Sequence, residues 1–92
     1  MLSSVAAPVR ETWSTSTTKT LAVANTSRRQ LIVYNEGTQP VYLKYGTSAS
    51  ATSYTAVVAA SGGYWEMPTP IYTGDVTAYS TNGAITMTTE GT

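Results

Sequence analysis

From residue 20 to residue 90 the chain alternates apolar and polar side chains in short runs. Clusters of Gly, Pro, Asn and Ser break them roughly every 8–12 residues, the spacing of turns in a β-sandwich or barrel. The runs are TLAVA (20–24), RQLIVYN (29–35), VYLKY (41–45), YTAVVA (54–59), YWEM (64–67), DVTAYST (75–81) and AITMTTE (84–90). Successive side chains of a strand point to opposite faces. This sets Leu31 and Val33 against Ile32 and Tyr34, and Val41, Leu43 and Tyr45 against Tyr42 and Lys44. No helical period extends over ten residues or more. With a short extended piece between Val9 and Trp13, the pattern predicts an all-β fold. It has about eight short antiparallel strands in a small β-sandwich or jelly-roll-like barrel, with residues 20–92 as a single domain.

Two local pairings are expected. Asn82-Gly83 joins the last two runs and is the strongest short-range hairpin signal, because both turn positions of a type I′ turn need positive φ. A two-residue turn there pairs Thr81 with Ala84 and Tyr79 with Thr86. Val76, Ala78, Ile85 and Met87 then share one face, and Thr77, Tyr79, Thr86 and Thr88 the other. The loop EGTQP, with its Gly and Pro, is expected to close a second hairpin between residues 31–35 and 41–45. Residues 1–19 read differently. ETWSTSTTKT is polar and repetitive and Pro8 interrupts it upstream, so the segment is expected to be an extended arm that leaves the domain or lies across a neighbour. Trp13 is its candidate anchor, since an indole seeks a buried site.

Composition narrows the chemistry. Serine and threonine make up about three residues in ten, and threonine with tyrosine suits a pleated, half-buried surface. Cysteine and histidine are absent, which removes disulfides, thiolate or imidazole metal sites, and Ser-His or Cys-His nucleophile pairs. A 92-residue domain buries only about 60–65% of its unfolded surface, so oligomerisation is the expected staple. Formal charge is zero, from five basic and five acidic side chains, and a nucleic-acid binder would carry a basic stripe. No run approaches the roughly 20 apolar residues of a membrane span. The opening MLSSVAAPV has neither the basic start nor the apolar length of a signal peptide, so no export is expected.

The carboxylates are Glu11, Glu36, Glu66, Asp75 and Glu90. Glu66 and Asp75 form a conceivable glycosidase-like pair, but solubilising turn residues are the simpler reading, and no cofactor is expected. Binding is the open question. Tyr42, Tyr64, Trp65, Tyr72 and Tyr79 are candidates for a protein interface, where aromatics carry much of the energy, or for stacking on a glycan. Lys44 either guards a sheet edge or pairs with a partner's carboxylate. The candidate interface set is Trp13, Tyr42, Lys44, Trp65, Tyr72 and Tyr79.

The motif string LAVANTSRRQLIVYNEGTQPVYLKYGTSASATSYT, followed by GGYWEMPTPIYTGDVTAYSTNGAITMTTE, resembles a family of small tailed-phage virion proteins. The shared pattern is N-x-x-R-x-x-L-x-(I/V)-x-N-x-G, then V-Y-L-x-x-G, a Ser/Ala/Thr loop and a late Y-T-G-x-V-x-A. Asn25, Arg28, Asn35, Gly37, Val41 to Gly46 and Tyr72 to Ala78 match it. The resemblance implies a β-sandwich on the virion surface, a homotrimeric capsid decoration (cement) protein bound to the major capsid protein, or the base or tip of a fibre. It implies that the matching residues define the fold more than they contact a partner. The alternative is a carbohydrate- or receptor-binding module of a fibre or tail. Neither reading involves nucleic acid or membrane.

Overall fold

The computed structural model describes residues 9–90, and these form eight strands with no helix. They are β1 (Val9–Thr12), β2 (Thr17–Ala22), β3 (Gln30–Asn35), β4 (Val41–Tyr45), β5 (Ala56–Val58), β6 (Gly63–Glu66), β7 (Val76–Ser80) and β8 (Ala84–Glu90). Sheet A runs β1-β8-β3-β6 and sheet B runs β2-β7-β4-β5, every neighbour antiparallel. The pairs β1–β8, β2–β7, β3–β6 and β4–β5 are nested, as if one long hairpin had been wound into two packed sheets. That is the strand order of a double-sheet jelly roll. Only β4 and β5 pair as sequence neighbours; every other connection crosses from one sheet to the other.

The alternation along each strand sets the core. Leu31 and Val33 of β3, Ile85 and Met87 of β8, Val41 and Leu43 of β4, Val76 and Ala78 of β7 and Val58 of β5 face inward and are buried. Their partners in alternation, Ile32, Tyr34, Tyr42, Lys44, Tyr79 and Thr86, face outward. Asn35 is also buried, and its side-chain amide donates to the carbonyls of Gln39 (2.9 Å) and Val58 (3.0 Å) while its oxygen accepts from Gly37 N. This fixes the turn that follows β3. Among the described residues no buried side-chain polar atom lacks a hydrogen bond.

Three expectations are corrected. The Asn82-Gly83 hairpin does not form: β7 lies in sheet B and β8 in sheet A, and neither Asn82 nor Gly83 has positive φ. The two runs share no sheet, although Val76, Ala78, Ile85 and Met87 do all face the core, from opposite layers. The EGTQP hairpin fails for the same reason, since β3 is in sheet A and β4 in sheet B. The two corners instead brace each other. Ala84 O accepts from Glu36 N and Gly37 N, and Ser80 Oγ donates to Pro40 O at 3.0 Å. Each of these strands gains two paired edges in its own sheet, whereas an isolated hairpin would satisfy one.

The third correction concerns the arm. Residues 9–12 are extended, but they pair with β8 of the same chain, Val9 opposite Met87 and Thr12 opposite Ala84. Trp13 is 2% exposed and plugs the open edge of the sandwich between β1 and β2. Its Nε1 donates to Thr17 O at 3.1 Å, its backbone N donates to Gly83 O, and the Lys19 amine lies 5.5 Å over its ring. Trp13 is therefore a core residue and not an interface anchor. Residues 1–8 lie outside the described residues.

Candidate functional site: an aromatic sheet face

The outer face of sheet B carries the densest aromatic surface. The register places Thr18 (β2), Tyr79 (β7), Tyr42 (β4) and Val57 (β5) in one row across all four strands. Tyr42 is the hub. Its ring lies 5.2 Å from that of Tyr54 at 53° and 6.2 Å from that of Tyr79 at 48°, tilted contacts that suit the aromatic quadrupole. Tyr54 and Val57 remain 48% and 44% exposed. Tyr54 was not a sequence candidate. It follows a loop without period and joins Tyr42 only through the β4–β5 turn.

The next row of this face is covered. The loop 46–55 folds back over it and buries Ala49. Thr77 Oγ1 donates to Gly46 O (2.8 Å) and accepts from Ala49 N (3.2 Å), and Thr18 Oγ1 donates to Ala49 O at 2.6 Å. Lys44 faces the same side as Tyr42, as the alternation predicts. Its strand is interior to the sheet, so it guards no edge. Its amine donates to Ser53 Oγ at 2.8 Å and pins the loop. The role of inward charge at an edge falls to Lys19 on β2, which donates to Thr12 O and pairs with Glu11 at 3.6 Å. Lys44 is the single charged side chain among the strand residues that face outward from sheet B, and it is occupied within the chain.

Trp65 and Tyr72 belong to a different place. Trp65 alternates inward beside Val33, and with Tyr45 and Tyr72 it closes one end of the core. Tyr72 stacks on Tyr45 at 4.3 Å and 3°, and Tyr45 meets Trp65 edge-on at 6.3 Å. Arg28, 5% exposed, packs at the same end. Its guanidinium donates to the carbonyls of Val23 (2.8 Å), Tyr72 (2.9 Å) and Gly74 (3.0 Å). Burial lowers its pKa, against the opposing pull of Tyr72, Asp75 and Tyr45. Burial likewise raises the Tyr45 hydroxyl above its usual 10.0, with Arg28 pulling it back and Tyr72 adding to the rise. Asn25 closes the motif, accepting from Ser27 N through its side chain and from Arg28 N through its carbonyl. Asn25, Arg28, Asn35 and Gly37 all build turns and corners. Trp65 and Tyr72 are structural, and Tyr42, Tyr79 and Lys44 share a face.

Glu66 and Asp75 do not form a pair. Glu66 accepts from Gln30 Nε2 at 2.8 Å on sheet A, while Asp75 accepts from Ala24 N at 2.7 Å. Among the described residues no three His, Cys, Asp or Glu are placed to hold a metal ion, and no helix is long and apolar enough to cross a membrane.

The chain matches no protein-family model, no curated protein and no solved structure. A row of tyrosines with an exposed valine, free of unpaired charge, is a surface that gains by excluding water and loses little by desolvation.

Proposed function

We propose that this chain is a non-enzymatic virion structural protein, a homotrimeric decoration (cement) protein that binds the major capsid protein on the outer capsid surface. The observation that carries the reading is the Tyr42–Tyr54–Tyr79–Val57 face of sheet B. Tyrosine anchors on a sheet face whose one charge, Lys44, is hydrogen-bonded to Ser53 supply interface energy without covalent chemistry, which is what a cement function needs. Trimer formation adds the apolar burial that so small a domain lacks, at about 25 cal/mol per Å². A clamp made by the segment 9–12 forms no part of this reading, because that strand is used within its own sheet.

The test is sedimentation of the purified chain alone and with empty capsids. A trimer that cosediments with capsids, and a loss of cosedimentation for Tyr42→Ala and Tyr79→Ala, are expected. A stable monomer that ignores capsids overturns the proposal.

A second reading, a carbohydrate-recognition module of a fibre or tail, is favoured by one observation on the opposite face. Tyr34 and Tyr64 are 46% and 60% exposed there, side by side among polar groups.

A further inference from the structure

The outer face of sheet A differs in kind from that of sheet B. One row runs Arg10, Thr86, Tyr34, Tyr64 across β1, β8, β3 and β6. Tyr34 and Tyr64 are directly opposite each other, so their Cβ atoms are about 5 Å apart, and the Tyr34 hydroxyl lies near Gly62, where the chain has no side chain to cover it. Two carboxylates border this aromatic pair, Glu36 from the Thr86 side of the row and Glu66 one outward position along β6. On one side Glu36 takes Arg10 Nη1 on one oxygen (3.2 Å) and Thr86 Oγ1 on the other (3.1 Å). On the other side Glu66 takes Gln30 Nε2 at 2.8 Å, and the amide oxygen of Gln30 is itself tied to Leu31 N at 2.9 Å.

Each carboxylate is thus oriented by side chains of its own chain and retains free lone pairs. An ionised carboxylate has about four acceptor sites and no donor, so whatever completes it must donate. The groups between them are flat tyrosine rings, which call for an apolar face. The charge of the set, two carboxylates against the one guanidinium of Arg10, disfavours an anion. A ligand with an apolar ring face, several hydroxyl donors at its edge and no negative charge is a neutral pyranose. The Glu36 carboxylate is held at Thr86 on β8, and Glu66 stands on β6 two strand spacings across and two residues along, a diagonal of about 12 Å, more than one sugar ring spans. We infer that the outer face of sheet A is a binding site for a neutral oligosaccharide, with Tyr34 and Tyr64 as its stacking platform and Glu36 and Glu66 as its hydroxyl acceptors. This rests on the carbohydrate reading above and is independent of docking through sheet B.

The experiment presents the full chain to an array of neutral, sialylated and sulfated oligosaccharides, followed by titration of the best neutral hit against variants. Saturable binding confined to neutral glycans is expected. Tyr64→Ala and Tyr34→Ala are each expected to weaken it about tenfold or more, while Tyr42→Ala leaves it unchanged. Both substituted tyrosines are exposed, and an unaltered melting temperature confirms that each variant is folded. Glu66→Gln, which replaces one acceptor oxygen by a donor, is expected to weaken binding with the platform intact. Binding that survives Tyr34→Ala and Tyr64→Ala but is lost with Tyr42→Ala overturns this site and leaves the carbohydrate reading standing. Preference for sialylated or sulfated glycans overturns the charge argument, and no binding to any glycan overturns site and reading together.

Discussion

Tyr72 lies flat on Tyr45, ring centroids 4.3 Å apart and planes 3° from parallel, and this stack ties the β6–β7 connection to the end of β4. Tyr72 brings no strand pairing of its own; it is held by ring contact and by its carbonyl, which accepts from Arg28. Tyr72→Ala removes a half-buried ring and is expected to cost about 2–3 kcal/mol. In a domain of this size that lowers Tm by roughly 10 °C, measurable by calorimetry.

The same stack has an alkaline consequence. Burial raises the folded-state pKa of Tyr45 above 10.0, so the folded protein holds that proton after the unfolded chain has released it. Stability from this group is full below pH 10, falls as pH rises from there and is lost above the folded pKa. Tyr45→Phe keeps the ring and removes the titration. Denaturant unfolding between pH 8 and pH 11 is expected to show a shallower alkaline loss for Tyr45→Phe than for the parent chain.

Arg28 joins three carbonyls from two segments distant in sequence. Arg28→Ala strands buried acceptors and is expected to destabilise by about 3–5 kcal/mol. Arg28→Lys keeps the charge but not the planar fork that reaches all three, so it is expected to recover only part of the loss in urea unfolding.

Asn82 separates the two readings of the Asn82-Gly83 corner, whereas a substitution of Gly83 is costly in both. A Cβ there would lie 2.6 Å from Ser80 Oγ and 3.1 Å from Val41 Cγ2, so Gly83→Ala is expected to cost about 1–3 kcal/mol by overpacking. Asn82 is exposed and without positive φ. Asn82→Ala is therefore expected to change stability by no more than about 0.5 kcal/mol, whereas a type I′ turn would make it costly. Thermal melts of the two variants check this.

Trp13→Ala is expected to be among the most damaging single changes, at about 3–5 kcal/mol, because it empties a fully buried indole site between the sheets. If Trp13 were an interface anchor, the loss would appear in association and leave the melting temperature alone. Melting and sedimentation of the same variant separate the two.

Much of the fold was legible in the chain. Period-2 alternation separated Leu31 and Val33 from Ile32 and Tyr34, Val41 and Leu43 from Tyr42 and Lys44, and Val76 and Ala78 from Thr77 and Tyr79, because the relative facing of strand residues depends only on position in the pleat; the first of each set is the one the core takes. The same rule placed Tyr42 with Lys44 on one outer face, and turn chemistry marked Asn35 and Gly37. What alternation does not encode is which strand lies beside which. A two-residue turn favours a hairpin by about as much as one local interaction does, while placing β7 between β2 and β4, and β8 between β1 and β3, satisfies both edges of each strand. That long-range sum overrode Asn82-Gly83. It also drew Val9–Thr12 and Trp13 into the sandwich, brought Tyr54 onto Tyr42, and divided the tyrosines into a face on sheet B whose one charge is occupied within the chain, a carboxylate-bordered face on sheet A and a structural stack at one end. Alternation and turn residues set the strands and which side chains share a face; the winding of the sheets, set by burial and edge pairing between distant residues, made some aromatics surface and others core.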